Sequence, residues 1–219
     1  VTHCFNEEPV VRELYERVKE VMGGLSRYRY EHIFIDNASQ DKTEAILRDI
    51  ARRDTNVKVI LNNRNFGPIR SANYALMQAR GDAVISLVAD FQDPPEMIPD
   101  LIRKWEEGYQ VVVGVKTKSD ETFVFRWIRR GYYHLIGMLA ELELIKNFTG
   151  FGLYDQEVMR IMREIDDPYP YFRGLICDIG CKRAEIPYTQ PKRRRGFTKN
   201  NFYMLYDVAM LGITNHSKV

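Results

Sequence analysis

Cysteine is scarce in this chain: Cys4, Cys177 and Cys181 are its only three in 219 residues. Their number and scatter exclude a disulfide framework and point to a reducing compartment. Cys177 and Cys181 stand four apart, which would place both on one face of a helix. With no paired Cys or His nearby they read as buried thiols rather than zinc ligands. An excess of one charge is also missing, since 32 basic residues face 30 acidic ones. Attraction to a polyanion must therefore come from local clusters, and no nucleic-acid partner is expected. No run reaches the roughly 18 apolar residues that span a bilayer, and no secretory signal is present. These residues are expected to be soluble or peripheral to a membrane. GxGxxG does not follow the first strand, and GxxxxGK followed by Ser or Thr is absent, which argues against nicotinamide enzymes and P-loop NTPases. Histidine is rare as well, and His3, His32 and His216 have no metal-like spacing.

What is present is an ordinary globular balance, 45% hydrophobic and 28% charged, in a chain long enough for one sizeable core. Short β-branched runs alternate with helix-period segments, the mark of an α/β fold with a mostly parallel sheet. Strands are expected over 1–5, 31–36, 57–61, 83–88 and 110–115. Val11, Leu14, Val18, Val21 and Met22 make a helical stripe closed by Gly23 and Gly24, and Ile46, Leu47 and Ile50 make another. Residues 68–80 and 96–107 supply two more helices. Beyond 115 the pattern predicts a long amphipathic helix over 123–143, a short one over 172–180, a strand over 184–188 and a closing helix over 201–213. The first residues read as the inside of a strand, so a segment before them is expected to be missing.

The most informative stretch is Ser86-Leu87-Val88-Ala89-Asp90-Phe91-Gln92-Asp93-Pro94-Pro95-Glu96, where an apolar strand ends in oxygen-bearing side chains and a proline stop. Asp90, Gln92 and Asp93 offer hard oxygen donors of the kind Mg²⁺ or Mn²⁺ accepts while leaving positions for phosphate oxygens. Two further polar clusters follow strands: Asn6-Glu7-Glu8, and Asp36-Asn37-Ala38-Ser39-Gln40-Asp41. In a doubly wound sheet, ligands sit beyond the carboxyl ends of the strands. Taken singly, each cluster also reads as a helix N-cap; their convergence on one edge favours a site. A nucleotide would then be held by side chains, with its diphosphate on a metal.

Five motifs now stand in order: Phe5-Asn6-Glu7-Glu8; the run from Phe34-Ile35-Asp36-Asn37 to Lys42-Thr43; Asn63-Arg64-Asn65-Phe66-Gly67; Ala89-Asp90-Phe91-Gln92-Asp93-Pro94-Pro95-Glu96; and Arg195-Gly196-Phe197-Thr198-Lys199. In this order they resemble family 2 glycosyltransferases, most closely the polyprenyl-phosphate branch with its bactoprenol glucosyltransferases and dolichol-phosphate mannosyltransferases. The resemblance implies a GT-A fold, a mostly parallel Rossmann-like sheet flanked by helices. It implies an enzyme that transfers a sugar, with inversion, from a nucleotide sugar such as UDP-glucose to undecaprenyl or another polyprenyl phosphate. Phe5, Glu7 and Asp36 would contact the nucleotide, and Asp90 and Gln92 would hold the metal and the donor diphosphate. Arg126 would help hold the acceptor phosphate, and Arg193, Arg195 and Lys199 would belong to a loop closing over the phosphates. His134 falls where the mannosyltransferase branch carries a phosphate-binding arginine.

The same resemblance divides the chain into a catalytic domain over 1–199 and an amphipathic juxtamembrane region over 200–219, with membrane anchors expected to follow. The place implied is the cytoplasmic face of a bacterial inner membrane, where Phe202, Tyr203, Met204, Leu205, Tyr206, Met210 and Leu211 suit a bilayer interface. A subunit contact explains that cluster equally well, so a homo-oligomer stays open. The chemistry agrees with a phosphate acceptor: a phosphate monoester, with its second pKa near ~6, is largely dianionic at neutral pH and needs no general base. Guanidinium groups suit the phosphates because they bind them in a fork. Four positions depart from the family pattern. His3 replaces a usual proline, Val88 an Asp of the metal motif, and Asn37-Ala38 a more frequent Asp-Gly. Thr149-Gly150-Phe151-Gly152 also lacks an Asp found in the glucosyltransferase version, a place Asp178 is a candidate to fill. The alternatives are transfer to a surface glycan, or a non-catalytic nucleotide-sugar-binding scaffold at a membrane.

Overall fold

The computed structural model describes residues 1–117 and 145–191 and, near the end of the chain, 207, 210–212 and 214. The first half is a run of strand-helix units: β1 (Thr2–Cys4), α1 (Val11–Gly23), β2 (His32–Asp36), α2 (Thr43–Arg53), β3 (Val57–Leu61), α3 (Pro68–Gln78) and β4 (Ala83–Val88). A 3₁₀ turn (Pro95–Met97), α4 (Ile98–Glu106) and β5 (Val111–Lys116) follow. The second described part holds β6 (Phe148–Asp155), α5 (Gln156–Ile165), α6 (Phe172–Asp178) and β7 (Arg183–Tyr188).

Among the described residues seven strands form one sheet in the order β3-β2-β1-β4-β6-β5-β7. All neighbours are parallel except at β6, which runs antiparallel to both β4 and β5. Both faces are covered, so the strands read as near-continuous apolar runs rather than alternating ones. On one face Val11, Leu14, Val18, Leu47, Ile50 and Leu101 pack against Cys4, Phe34, Leu87 and Val112. On the other, Leu76, Val158, Met159, Met162 and Ile176 meet Ile33, Val84, Val111, Val113 and Tyr154. Neighbouring strand residues such as Ile33 and Phe34 therefore serve opposite cores, which is how a period of two fixes the register.

Strand positions agree with the sequence reading to within one or two residues, and β3 and β4 coincide with it. Three local readings are corrected. The helix expected over 96–107 is split, because the prolines at 94, 95 and 99 allow only a tight turn before the α-helix starts at Ile98. Cys177 and Cys181 do not share a helix face, since α6 ends at Asp178 and Gly180, at φ 71°, turns the chain; both are partly buried and neither is in a disulfide. The strand β6 and helix α5 were not anticipated. Of the closing helix, residues 207 and 210–212 are helical, and its other positions lie outside the described residues, as does the expected helix over 123–143.

Candidate active site

The register of the central strands sets the site. Cys4 stands beside Asp36 and His3 beside Val88, so β1, β2 and β4 deliver their carboxyl ends at one level. Just past each end a non-glycine residue adopts the left-handed region: Asn6 at φ 55°, Ala38 at φ 60° and Phe91 at φ 62°. That conformation is sparsely populated by residues with a Cβ and persists only where the surroundings impose it. Three such turns side by side mark the edge where the chain is most tightly determined.

Hydrogen bonds across the first two turns supply that constraint. The amide of Asn6 donates to the Ser39 hydroxyl at 2.8 Å, and the amide of Gln40 donates to Asn6 Oδ1 at 2.7 Å. The Glu7 amide donates to Thr43 Oγ1 at 2.8 Å, while the Glu8 amide and the Thr43 amide and hydroxyl all close on Asp41. Burial opposes charge on Asp41, but these donors outweigh it and hold its carboxyl below the usual carboxylate range. Asp36, 1% exposed, takes the amide and the hydroxyl of Ser39 on its two oxygens. It is therefore first of all the anchor of its own turn.

Asn37 extends the network to the loop after β3. Its Oδ1 accepts from Asn62 Nδ2 at 3.0 Å and from the Phe66 amide at 2.9 Å, and its Nδ2 donates to Asn65 Oδ1 at 2.9 Å. Asn65 Oδ1 in turn accepts from the Gly67 amide at 2.8 Å, just before α3 opens at Pro68. An amide can accept and donate together, which an aspartate in this position could not do when ionised.

The turn after β4 carries the strongest candidates. Asp90 is 7% exposed, and its Oδ1 accepts from the Gln92 amide at 3.0 Å; Gln92 is half-buried. Between them the Phe91 ring is sunk in the core, with the Arg17 guanidinium 4.7 Å from its centroid. Asp93, read from sequence as a third oxygen donor, turns inward instead. Its Oδ2 accepts from the Val88 amide at 3.2 Å and its Oδ1 from the Tyr188 hydroxyl at 3.2 Å. Burial pushes its carboxyl up to about 7, with the neighbouring Asp90 adding to the shift, and burial likewise raises the Tyr188 phenol. Asp93 is thus a buried strut of the turn rather than a ligand on its rim.

Of the residues expected to act on the donor, Phe5, Glu7, Asp36, Asp90 and Gln92 lie in these adjoining turns. Arg126, Arg193, Arg195, Lys199 and His134 lie outside the described residues. Asp178 is exposed at the last turn of α6, while Thr149 to Gly152 run within β6. Asp90 and Gln92 together offer a carboxylate and an amide oxygen at one turn. Among the described residues no group of three His, Cys, Asp or Glu side chains is arranged for a metal ion. A donor set this small does not build a protein cage but fits Mg²⁺ or Mn²⁺, which keep most of their coordination for phosphate and water. Sequence reasoning missed the parts of Asn37 and Ser39 as hubs and of Tyr188 as the partner of Asp93. Asn and Ser next to an Asp after a strand signal a local turn, whereas nothing adjacent to Tyr188 in sequence announces its contact.

A row of turns at the carboxyl ends of a mostly parallel sheet, with one antiparallel strand beside the Asp90 turn, is the GT-A arrangement of glycosyltransferases. Residues 1–176 match the family model "Glycosyl transferase family 2", and the chain belongs to that family of enzymes. It is 35% identical to an uncharacterized glycosyltransferase, YkcC, of Bacillus subtilis over 99% of its own length and 67% of the relative's. It is 31% identical to the bactoprenol glucosyl transferase of Shigella phage SfV over 99% of its length and 71% of that protein. The chain thus spans about two thirds of the length of such relatives. Solved structures with the same fold include the Staphylococcus aureus TarS fragment in complex with UDP, at TM-score 0.53, 16% identity and coverage of 100% and 65% of the two chains. Another is the mannosyltransferase PcManGT from Pyrobaculum calidifontis with GDP-Man and Mn²⁺, at TM-score 0.57, 18% identity and coverage of 88% and 56%.

Among the described residues no helix is long and apolar enough to cross a membrane.

Proposed function

We propose that this protein transfers a sugar, with inversion, from a nucleotide sugar, UDP-glucose first, to undecaprenyl or another polyprenyl phosphate at the cytoplasmic face of a bacterial membrane. The observation that carries this reading is the convergence of the turns after β1, β2 and β4 on one edge, in a chain 31% identical to a bactoprenol glucosyl transferase over 99% of its length. Phe5 and Glu7, with Asp36 fixing the turn beside them, take the nucleoside. Asp90 and Gln92 hold the diphosphate end and the cation, Mg²⁺ or Mn²⁺, whose charge offsets that of the departing group.

The acceptor phosphate is largely dianionic at neutral pH, so one of its oxygens attacks the anomeric carbon without a general base. The new bond joins carbon to phosphate oxygen; the bond to the nucleoside diphosphate breaks, and that group leaves on the opposite side with the electron pair. The protein's task is to align two anionic reactants and compensate their charge. Arg126 serves the acceptor phosphate and Arg193, Arg195 and Lys199 the closing phosphates, assignments that rest on the resemblance. The test is an incubation with Mg²⁺ or Mn²⁺, a panel of radiolabelled nucleotide sugars and polyprenyl phosphate. Label entering the organic phase is the expected result. Label in a soluble glycan would replace the acceptor, and nucleotide binding without any transfer would leave a binding protein.

A further inference from the structure

Tyr188 lies on the far side of the sheet from the nucleotide turns, yet its hydroxyl ends on the turn that carries Asp90 and Gln92. In the strand order, β6 and β5 separate β7 from β4. The Tyr188 ring reaches back across them and donates to Asp93 Oδ1 at 3.2 Å. The tyrosine itself is held firmly. Its carbonyl accepts from the Thr117 amide at 2.9 Å and from the Thr117 hydroxyl at 3.1 Å. Its ring meets the Phe151 ring edge-on, with centroids 5.5 Å apart. Gly114 makes this packing possible, because a Cβ there would stand 3.1 Å from the Tyr188 ring and 2.6 Å from the Phe151 ring. The hydroxyl is therefore a fixed donor, 7% exposed as a residue and backed by packed rings.

At the other end of the bond, Asp90 Oδ1 takes the Gln92 amide at 3.0 Å and the Phe91 ring is buried. Phe91 sits in the left-handed region, which a residue with a Cβ adopts only under strain. Asp93 closes the turn onto the Val88 amide with one oxygen and spends the other on Tyr188. Asp93 adjoins Gln92, so whatever fixes its carboxyl also fixes the direction of the two proposed diphosphate residues. We infer that Tyr188 is a positioning residue which, through its hydrogen bond to Asp93, sets the orientation of the Asp90–Gln92 turn and hence its grip on a cation-bound nucleoside diphosphate. This rests on the donor-site reading given above.

The experiment is calorimetric titration of UDP and of GDP into the protein, with Mn²⁺ and again with EDTA. Tyr188→Phe keeps the ring packing and loses only the hydroxyl. It is expected to unfold within a few degrees of wild type and to weaken nucleotide binding in Mn²⁺ roughly five- to tenfold, the range of one lost hydrogen bond. In EDTA, wild type and variant should bind alike. Asp93→Ala, which also strips the Val88 amide of its acceptor, should lose at least as much, and adding Tyr188→Phe to it should cost nothing further. Asp93→Asn retains an acceptor for the Val88 amide and a donor toward the Tyr188 oxygen, so it should stay within about twofold of wild type. Wild-type affinity in folded Tyr188→Phe would overturn the inference, as would an equal loss in EDTA. A wild-type protein binding neither nucleotide in Mn²⁺ would instead overturn the donor-site reading, and the inference with it.

Discussion

Ser39 closes on Asp36 twice, its amide at 3.0 Å to Oδ2 and its hydroxyl to Oδ1, while the same hydroxyl accepts the Asn6 amide at 2.8 Å. One side chain of two heavy atoms thus joins the turn after β1 to the turn after β2. Ser39→Ala strips a donor from a buried carboxylate and an acceptor from a half-buried amide, which costs about 1–3 kcal/mol where such groups are left unsatisfied. The variant should lose stability of that order in urea denaturation and bind nucleotide more weakly, because the turn beside the proposed nucleoside site loosens. Unchanged stability would show that water replaces the hydroxyl without loss.

Ala38 gives a prediction of opposite sign. At φ 60° its Cβ presses on the backbone, a strain that glycine does not feel. Ala38→Gly should raise stability by about 1 kcal/mol, with the glycine's greater freedom in the unfolded chain subtracting part of the gain. Thermal denaturation measures it, and a drop in melting temperature would mean that the Ala38 methyl contributes packing that outweighs the strain.

Asp54 yields the pH dependence. It is 6% exposed and accepts from Lys19 at 2.9 Å, the Tyr15 hydroxyl at 2.8 Å and the Asn56 amide at 3.0 Å. The Lys19 bond first, with the other donors, outweighs burial and holds its carboxyl at about 2. An unfolded aspartate titrates near about 3.9. The folded value is the lower one, so the ionised carboxyl's contribution is present in full above about pH 4 and is lost as pH falls toward about 2. Asp54→Asn should melt below wild type at neutral pH, and the gap should narrow through that acid window. A gap constant down to about pH 2 would contradict the assignment.

The parallel half of the sheet was legible because its signals are local. Val57 to Leu61 and Ala83 to Val88 are β-branched runs bounded by turn residues, and both became strands at those bounds. The strand β6 was not legible, since its Thr149-Gly150-Phe151-Gly152 segment has the composition of a loop. Its glycine is required by a partner distant in sequence: a Cβ on Gly152 would stand 2.5 Å from the Val112 carbonyl oxygen. Helix α5 does carry a local signal, Asp155, whose side chain accepts from the Glu157 amide at the helix start, ahead of the Val158, Met159 and Met162 face. At the candidate site, the polar turn after β4 could be read from residue types alone. The inward bonding of Asp93 could not, because Tyr188, the partner that holds its carboxyl, is remote in sequence.

The central claim is that the turns after β1, β2 and β4 receive a nucleoside diphosphate together with its cation. A crystal of this protein soaked with UDP and Mn²⁺ tests it most directly, with anomalous scattering locating the metal. The account predicts manganese bound by Asp90 and Gln92, with the diphosphate on it and the nucleoside against Phe5 and Glu7. Manganese and nucleotide ordered at another edge of the sheet, with the Asp90 turn left bare, would contradict it.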